Sequence, residues 1–346
     1  MTENVFNEAD GRLNRLFDKA VRSRSDEIAL VYEDRRISFF ELQLYVEWMA
    51  GYFQSISLQP RQRVALLLPN SPKFLISFFG LMRAGGVAVP FDISSDELEL
   101  RLMLMLARAN AVITTPEYKP LLDKVLAESR GNGLALPRLT IAVFEEDNIV
   151  TLNKTARERQ TAVDNGKAAA LNSRSEALAP RKANGRALMA ATEAVPDQPA
   201  VVQFKEAQQF CVRTHEDLGR EAEAMIAQIQ LTVDDRLVCL APLCQINCLS
   251  HCLIAAVVAG ATMVLPEPGN RDGIRQLLVD ERVTVLAGPA ALLKCLAENH
   301  PDTFSLRWYF CTDALSPEIG ERLSQRMGFK VGQLIETTGA GISCQL

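Results

Sequence analysis

Short unbroken apolar runs alternate along this chain with longer stretches in which apolar residues recur every three or four positions, predicting strands and helices in turn. An amphipathic helix around Leu13 to Val21 opens the series. Ile28–Tyr32 and Arg36–Phe39, parted by Glu33-Asp34-Arg35, read as a hairpin. Ser38, with Glu41 three residues on, predicts a capping box for a helix through Gly51. A strand at Arg63–Leu68 stops at Pro69-Asn70-Ser71-Pro72, and a proline there suits the start of an apolar helix over Phe74–Met82. Arg83-Ala84-Gly85-Gly86 ends that helix, and Val87–Pro90 follows as a short buried strand. A further helix (Asp96–Ala109) and strand (Ala111–Thr114) repeat the unit.

The texture then changes. No aromatic residue stands between Phe144 and Phe204, and Ala, Arg, Asn, Ser and Lys dominate. So few bulky apolar groups do not repay the entropy of ordering, so residues 148–199 are expected to form a flexible linker, with at most transient helix over Thr155–Ala170. From Ala200 onward the alternation resumes. Strands are expected at Arg236–Leu240, Thr262–Leu265, Val283–Ala287, Leu306–Phe310 and Lys330–Ile335. Between them the pattern places a helix ending near Ala259 and helices at Gly273–Glu281, Ala290–Glu298 and Pro317–Met327. Strands alternating with helices imply parallel sheet, hence an α/β protein of two subdomains, 1–147 and 200–346, joined by the linker.

Composition narrows the function classes. The chain has 346 residues, 48% hydrophobic and 23% charged, ordinary values for a globular protein with room for two cores. A net charge of -5 offers no electrostatic footprint for nucleic acid or an anionic membrane. No apolar run reaches the ~20 residues of a membrane span, and Met1-Thr2-Glu3-Asn4 lacks the basic start of a signal peptide. Eight cysteines in such a chain suggest reduced thiols and a cytoplasmic setting. Cys244, Cys248 and Cys252 are spaced by four, with His251 beside the last. On a helix they would share one face, read here as a buried stripe rather than a metal site, because free cysteine packs as a small hydrophobe.

Several motifs in order carry a resemblance. Val31-Tyr32-Glu33-Asp34-Arg35-Arg36-Ile37-Ser38-Phe39-Phe40-Glu41-Leu42, Leu81-Met82-Arg83-Ala84-Gly85-Gly86-Val87-Ala88-Val89-Pro90, Gly260-Ala261-Thr262-Met263-Val264-Leu265 and Val283-Thr284-Val285-Leu286 together resemble the large N-terminal domain of the adenylate-forming enzymes. That family includes acyl-CoA synthetases, luciferases and peptide-synthetase adenylation domains. The resemblance covers roughly Arg12 to Phe144 and Ala200 to Gly339.

The positions that bear the family's chemistry depart from its pattern. Ala200 to His215 frames the family's phosphate loop, yet the middle is Lys205-Glu206-Ala207-Gln208-Gln209, shorter and without glycine. A phosphate cradle needs backbone N–H groups turned to the anion, which glycine permits. Lys205 assisted by Arg213 would be a displaced phosphate contact; the alternative is a solvated turn. By the resemblance, Gln245 stands where a histidine is expected and Cys248 where a glycine is. Gln245 and Asn247 either line an acyl or aromatic-acid pocket or cap the next helix. Cys311-Thr312-Asp313-Ala314-Leu315 corresponds to the Gly-Gly-Ala-Pro-Leu adenine turn. Ile335-Glu336-Thr337-Thr338-Gly339 corresponds to Tyr-Gly-x-Thr-Glu; Thr338 keeps a phosphate-binding hydroxyl, while Ile335 replaces the stacking tyrosine and Gly339 the magnesium-binding glutamate. Asp313 with Glu336 lacks a third partner for a metal. His215, at a helix start, is expected to be structural.

The resemblance also implies that the ribose-binding aspartate and the acyl-adenylate lysine lie beyond Leu346. The leading expectation is a non-catalytic homologue serving as a binding, scaffold or regulatory module. It would need no cofactor or metal, and would have a protein partner or self-association, or a small carboxylate ligand. The rival is an acyl- or aryl-acid-activating AMP-forming ligase that uses ATP and Mg²⁺ through a remodelled site or a separately encoded C-terminal half.

Overall fold

The first helix, α1 (Arg12–Ser23), turns Leu13, Phe17, Ala20 and Val21 inward, a spacing of three and four that lines one helical face. The computed structural model describes residues 12–131, 139–145, 148–151, 198–204, 210–266, 273–298, 305–335 and 343–345. The hairpin β1 (Ile28–Tyr32) and β2 (Arg35–Ser38) runs straight into α2 (Phe39–Ser55), because the Ser38–Glu41 capping box forms and makes Phe39 helical rather than extended. β3 (Arg63–Leu67), α3 (Pro72–Arg83), β4 (Val87–Pro90), α4 (Glu97–Ala107), β5 (Ala111–Thr114), α5 (Lys119–Gly131), β6 (Thr140–Glu145) and β7 (Asn148–Thr151) follow. β7 occupies the first four residues expected to belong to the linker, paired antiparallel to β6. Residues 152–197, the rest of that expected linker save its last two, lie outside the described residues.

The second half begins with β8 (Pro199–Phe204), β9 (Phe210–Thr214) and α6 (His215–Ile229), the last opened by a Thr214–Asp217 capping box. β10 (Arg236–Cys239) leads to α7, which runs as Ile246–Cys248, a π turn over Leu249–Ile254 and Ala255–Ala259. Gly260 closes it at φ +73, where a side chain would strain. β11 (Thr262–Leu265), α8 (Ile274–Asp280), β12 (Val285–Gly288), α9 (Ala290–Glu298), β13 (Trp308–Cys311), α10 (Pro317–Met327), β14 (Lys330–Ile335) and β15 (Ser343–Gln345) complete the order.

Two mainly parallel sheets result, as the α/β pattern implies. One runs β7-β6-β5-β3-β4-β8-β9 and the other β15-β14-β13-β12-β10-β11-β1-β2. Sheet membership crosses the expected subdomain limits. The β1–β2 hairpin from the first half pairs with β11, and β8–β9 from the second half pairs with β4. Two pieces of chain thus lie in each sheet, and the halves are interleaved rather than strung in series.

Residues of single strands divide between layers. Val64, Leu66 and Leu68 join a central core between the sheets, with Leu237, Cys239, Met263 and Leu265 from the other side. Helices α1, α2, α3, α6 and α7 fill that layer. Ala65 and Leu67 face outward onto α4 and α5, while Val238, Val264, Leu286 and Tyr309 face α8, α9 and α10. Burial on both faces explains why these strands read as unbroken apolar runs. Each large side chain so buried stabilises by roughly 1.5–3 kcal/mol.

Polar groups are tied off where the layers close. Arg83 meets Asp18 and Glu47, joining α3 to α1 and α2. At the N-terminal ends of the second sheet's strands, buried Asp235 accepts from Thr284 Oγ1 at 2.6 Å, from Thr232 N–H at 2.8 Å and from the Arg307 guanidinium at 2.7 Å. Burial pushes its pKa up, but these donors outweigh it and hold the carboxyl below its usual range.

Candidate functional site

Parallel sheets present their functional crest at the carboxyl ends of the strands. Here the crests of the two sheets are bridged. Asn70, in the turn after β3, donates to Ala241 C=O at 2.8 Å and accepts from Leu243 N–H at 2.8 Å. Gln203, near the end of β8, donates to Cys244 C=O at 2.6 Å. The loop 240–245 after β10 is thereby clamped from two strands of the other sheet. Neither Asn70 nor Gln203 is singled out by sequence; the turn composition Pro-Asn-Ser-Pro was the one available signal.

On the second sheet's crest Gln245 and Asn247 share the β10 end, and Thr312 and Asp313 follow β13. Gln245 is exposed and stands immediately before α7, its Oε1 facing Cys248 Sγ at 4.0 Å and its carbonyl accepting from Leu249 N–H at 2.9 Å. Asn247 Oδ1 is buried and has no hydrogen-bond partner among the described residues. Thr312 N–H donates to Gly288 C=O at 3.0 Å, and Tyr309 Oη donates to Pro289 C=O at 2.8 Å. The Asp313 carboxylate accepts from Ala290 N–H at 2.6 Å, covering the first turn of α9 with this chain's own charge. Ala314 is exposed beside it, and Ile335 ends β14. Glu336, Thr337 and Thr338 lie outside the described residues, as do Lys205, Glu206, Ala207, Gln208 and Gln209.

Arg213 is not turned to the crest. It is buried on β9 with Nε 3.6 Å from Glu221 of α6, itself buried. The guanidinium holds helix against strand.

The cysteine stripe forms with one exchange of members. Cys248 and Cys252 are buried with Cys239 of β10, while Cys244 lies in the loop ahead of the helix. Hydrogen bonds with neighbouring thiols, together with burial, hold Cys248 and Cys252 above the usual thiol range. Burial and the nearby Asp92 push the Cys244 thiol up to about 12. Cys244, Cys248 and Cys252 are thus held as neutral thiols, while the hydrogen bonds from Cys248 and Cys252 pull the buried Cys239 thiol down. Among the described residues no group of three or more His, Cys, Asp or Glu is placed to hold a metal ion.

His215 and His251 are buried and lowered to about 4, each chiefly by loss of solvent. His251 Nδ1 lies 2.8 Å from Ser250 Oγ, but both residues are enclosed in the core. Both ring nitrogens of His215, the first residue of α6, are without a partner among the described residues. No helix among the described residues is long and apolar enough to cross a membrane.

Comparison with known proteins agrees with this architecture. The family profile described as AMP-binding enzyme matches residues 17–344. The N-(5-amino-5-carboxypentanoyl)-L-cysteinyl-D-valine synthase of Penicillium rubens is 29% identical over 131 residues, covering 36% of this chain and 4% of that protein. A long-chain-fatty-acid–CoA ligase of Haemophilus influenzae is 32% identical over 125 residues, covering 36% of this chain and 22% of that one. The chain thus spans a small part of the length of these relatives. Among solved structures, a benzoate CoA ligase from Burkholderia xenovorans superposes with a TM-score of 0.74 at 20% identity, over 95% of this chain and 61% of that one.

Proposed function

The chain belongs to the AMP-binding enzyme family, and we propose that it does so as a non-catalytic member, keeping the large α/β domain as a binding or scaffold module. The observation that carries this reading is Asp313. In the turn that resembles the family's adenine-binding glycines it sets a carboxylate on the first N–H of α9, 2.6 Å away. Adenylation moves a polyanion and is accelerated mainly by positioned cations and backbone donors. A fixed negative charge at the crest opposes that chemistry. Arg213, the cation within the described part of the phosphate frame, is committed to Glu221.

What remains is suited to holding rather than reacting. The clamped loop after β10 presents Gln245 on its surface, and beside it the Asn247 Oδ1 is buried without a hydrogen-bond partner among the described residues. A small carboxylic acid or its amide is the ligand class that a crest of this kind accommodates. Free, buried thiols suit a reducing compartment such as the cytoplasm.

The decisive assay is ATP–pyrophosphate exchange with a panel of aliphatic and aromatic acids, run beside a thermal-shift titration with ATP and Mg²⁺. No exchange and no shift at millimolar ATP is expected, since only a ligand that binds the native state raises the melting temperature. Exchange with any acid overturns the reading in favour of an AMP-forming ligase.

A further inference from the structure

Three thiols meet where β10 ends and α7 begins. Cys239 closes β10, and Cys248 and Cys252 stand on the buried side of α7. All three are free and belong to the central core. Their depths differ. Cys248 Sγ lies 4.0 Å from Oε1 of exposed Gln245, so one side chain separates it from solvent. Cys239 Sγ donates to Ala241 C=O at 3.5 Å, directly under the loop 240–245. Cys252 lies further along, inside the π turn.

We propose that Cys239 and Cys248 are a thiol–disulfide switch that hydrogen peroxide closes, tying the first turn of α7 to the end of β10. Hydrogen bonds donated by Cys248 and Cys252 favour the anionic form of the Cys239 sulfur and outweigh its burial, so this thiol is the one held below the usual range. The thiolate is the attacking species in such chemistry. The Cys239 sulfur attacks one peroxide oxygen and the O–O bond breaks. The departing hydroxide takes up the proton that Cys239 had released, leaving a sulfenic acid. The Cys248 sulfur then gives up its proton and bonds to that sulfur, while the S–O bond breaks and the hydroxide leaves with the proton as water. Two thiols lose two electrons in all, and one peroxide becomes two waters. Cys248 rather than Cys252 completes the bond because it adjoins the loop, whose backbone adjusts to bring two sulfurs from contact to bonding distance.

Access is gated by the same loop. Cys239 is 0% and Cys248 1% exposed, so peroxide reaches them when residues 240–245 lift away from Asn70 and Gln203. Closing the disulfide shifts the loop that carries Gln245 and the helix start that carries Asn247. The switch therefore acts on the crest whether that crest binds or activates a ligand.

Peptide mass mapping of the full chain after peroxide treatment, with the remaining thiols blocked, tests the proposal. A Cys239–Cys248 disulfide within one molecule, reversed by dithiothreitol, is expected. Cys239→Ser and Cys248→Ser are each expected to lose it, while Cys244→Ser and Cys252→Ser keep it. Asn70→Ala is expected to form it about tenfold faster, because the closed loop loses two hydrogen bonds. Circular dichroism before treatment checks that each variant folds, and the wild-type map alone decides the pairing if a serine variant does not. A wild type that stays fully reduced, or that reaches sulfinic acid with no disulfide, overturns the proposal. So does a disulfide from Cys239 to Cys244 or Cys252, and an unchanged rate in Asn70→Ala overturns the gate.

Discussion

Lowering the pH should cost this protein stability through its histidines, before its carboxylates titrate. His215 and His251 are held neutral by burial, with folded pKa values of about 4 against 6.5 when solvated. Because the folded values are depressed, the unfolded chain binds protons first. The stability is fully present above pH 6.5 and is lost as the pH falls toward 4. Integrating over the window, each ring costs about 1.4 kcal/mol by pH 5.5, and the two together nearly ~3 kcal/mol, a large share of a typical domain's stability. Urea unfolding at constant ionic strength, at pH 7.5 and 5.5, measures the loss. Glu47 works in the opposite sense, since burial raises its carboxyl, so the wild-type slope alone does not isolate the histidines. His215→Phe does. It removes two buried nitrogens that make no hydrogen bond among the described residues, so it should be at least as stable as wild type at pH 7.5. Its loss by pH 5.5 should be smaller than the wild-type loss by about 1.4 kcal/mol, the share of the one ring removed, with the Glu47 contribution common to both. If His215→Phe loses as much stability as wild type on acidification, the reasoning is refuted.

Two further outcomes test how the layers meet. A Cβ at Gly80 would lie 2.6 Å from Met49 Cβ and 3.2 Å from Ala50 N, where neither neighbour swings away. Gly80→Ala should therefore destabilise by about 1–3 kcal/mol, whereas Gly51→Ala, with nothing within 4 Å, should stabilise by about 0.5–1 kcal/mol; equal effects in urea melts would contradict the packing described. Asn70→Ala removes both clamp bonds to the loop after β10 and should cost about 1–3 kcal/mol. Its specific mark is faster hydrogen exchange at the Leu243 amide, and unchanged protection there would exclude the clamp.

The sequence by itself determined the local elements of this protein. Periodicity and end signals are local properties, so Pro317–Met327 and Lys330–Ile335 fall where the pattern places them, and the Ser38–Glu41 capping box closes as expected. Fold class was legible for the same reason, since runs apolar on both faces demand layers on both sides. Tertiary structure alone decided which strands share a sheet. Nothing local in Ile28–Tyr32 says that it will pair with Thr262–Leu265, more than two hundred residues away; that depends on which apolar faces are left to cover when the chain collapses. The same holds at the crest. Cys239 displaces Cys244 from the thiol cluster because a strand end, not helical spacing, brings it there. Arg213 turns inward because Glu221 waits on the facing helix, and Asn70 bridges two sheets because their crests meet at its turn. Spacing within a segment is written in the sequence, whereas the partner across a layer is chosen by burial of the whole.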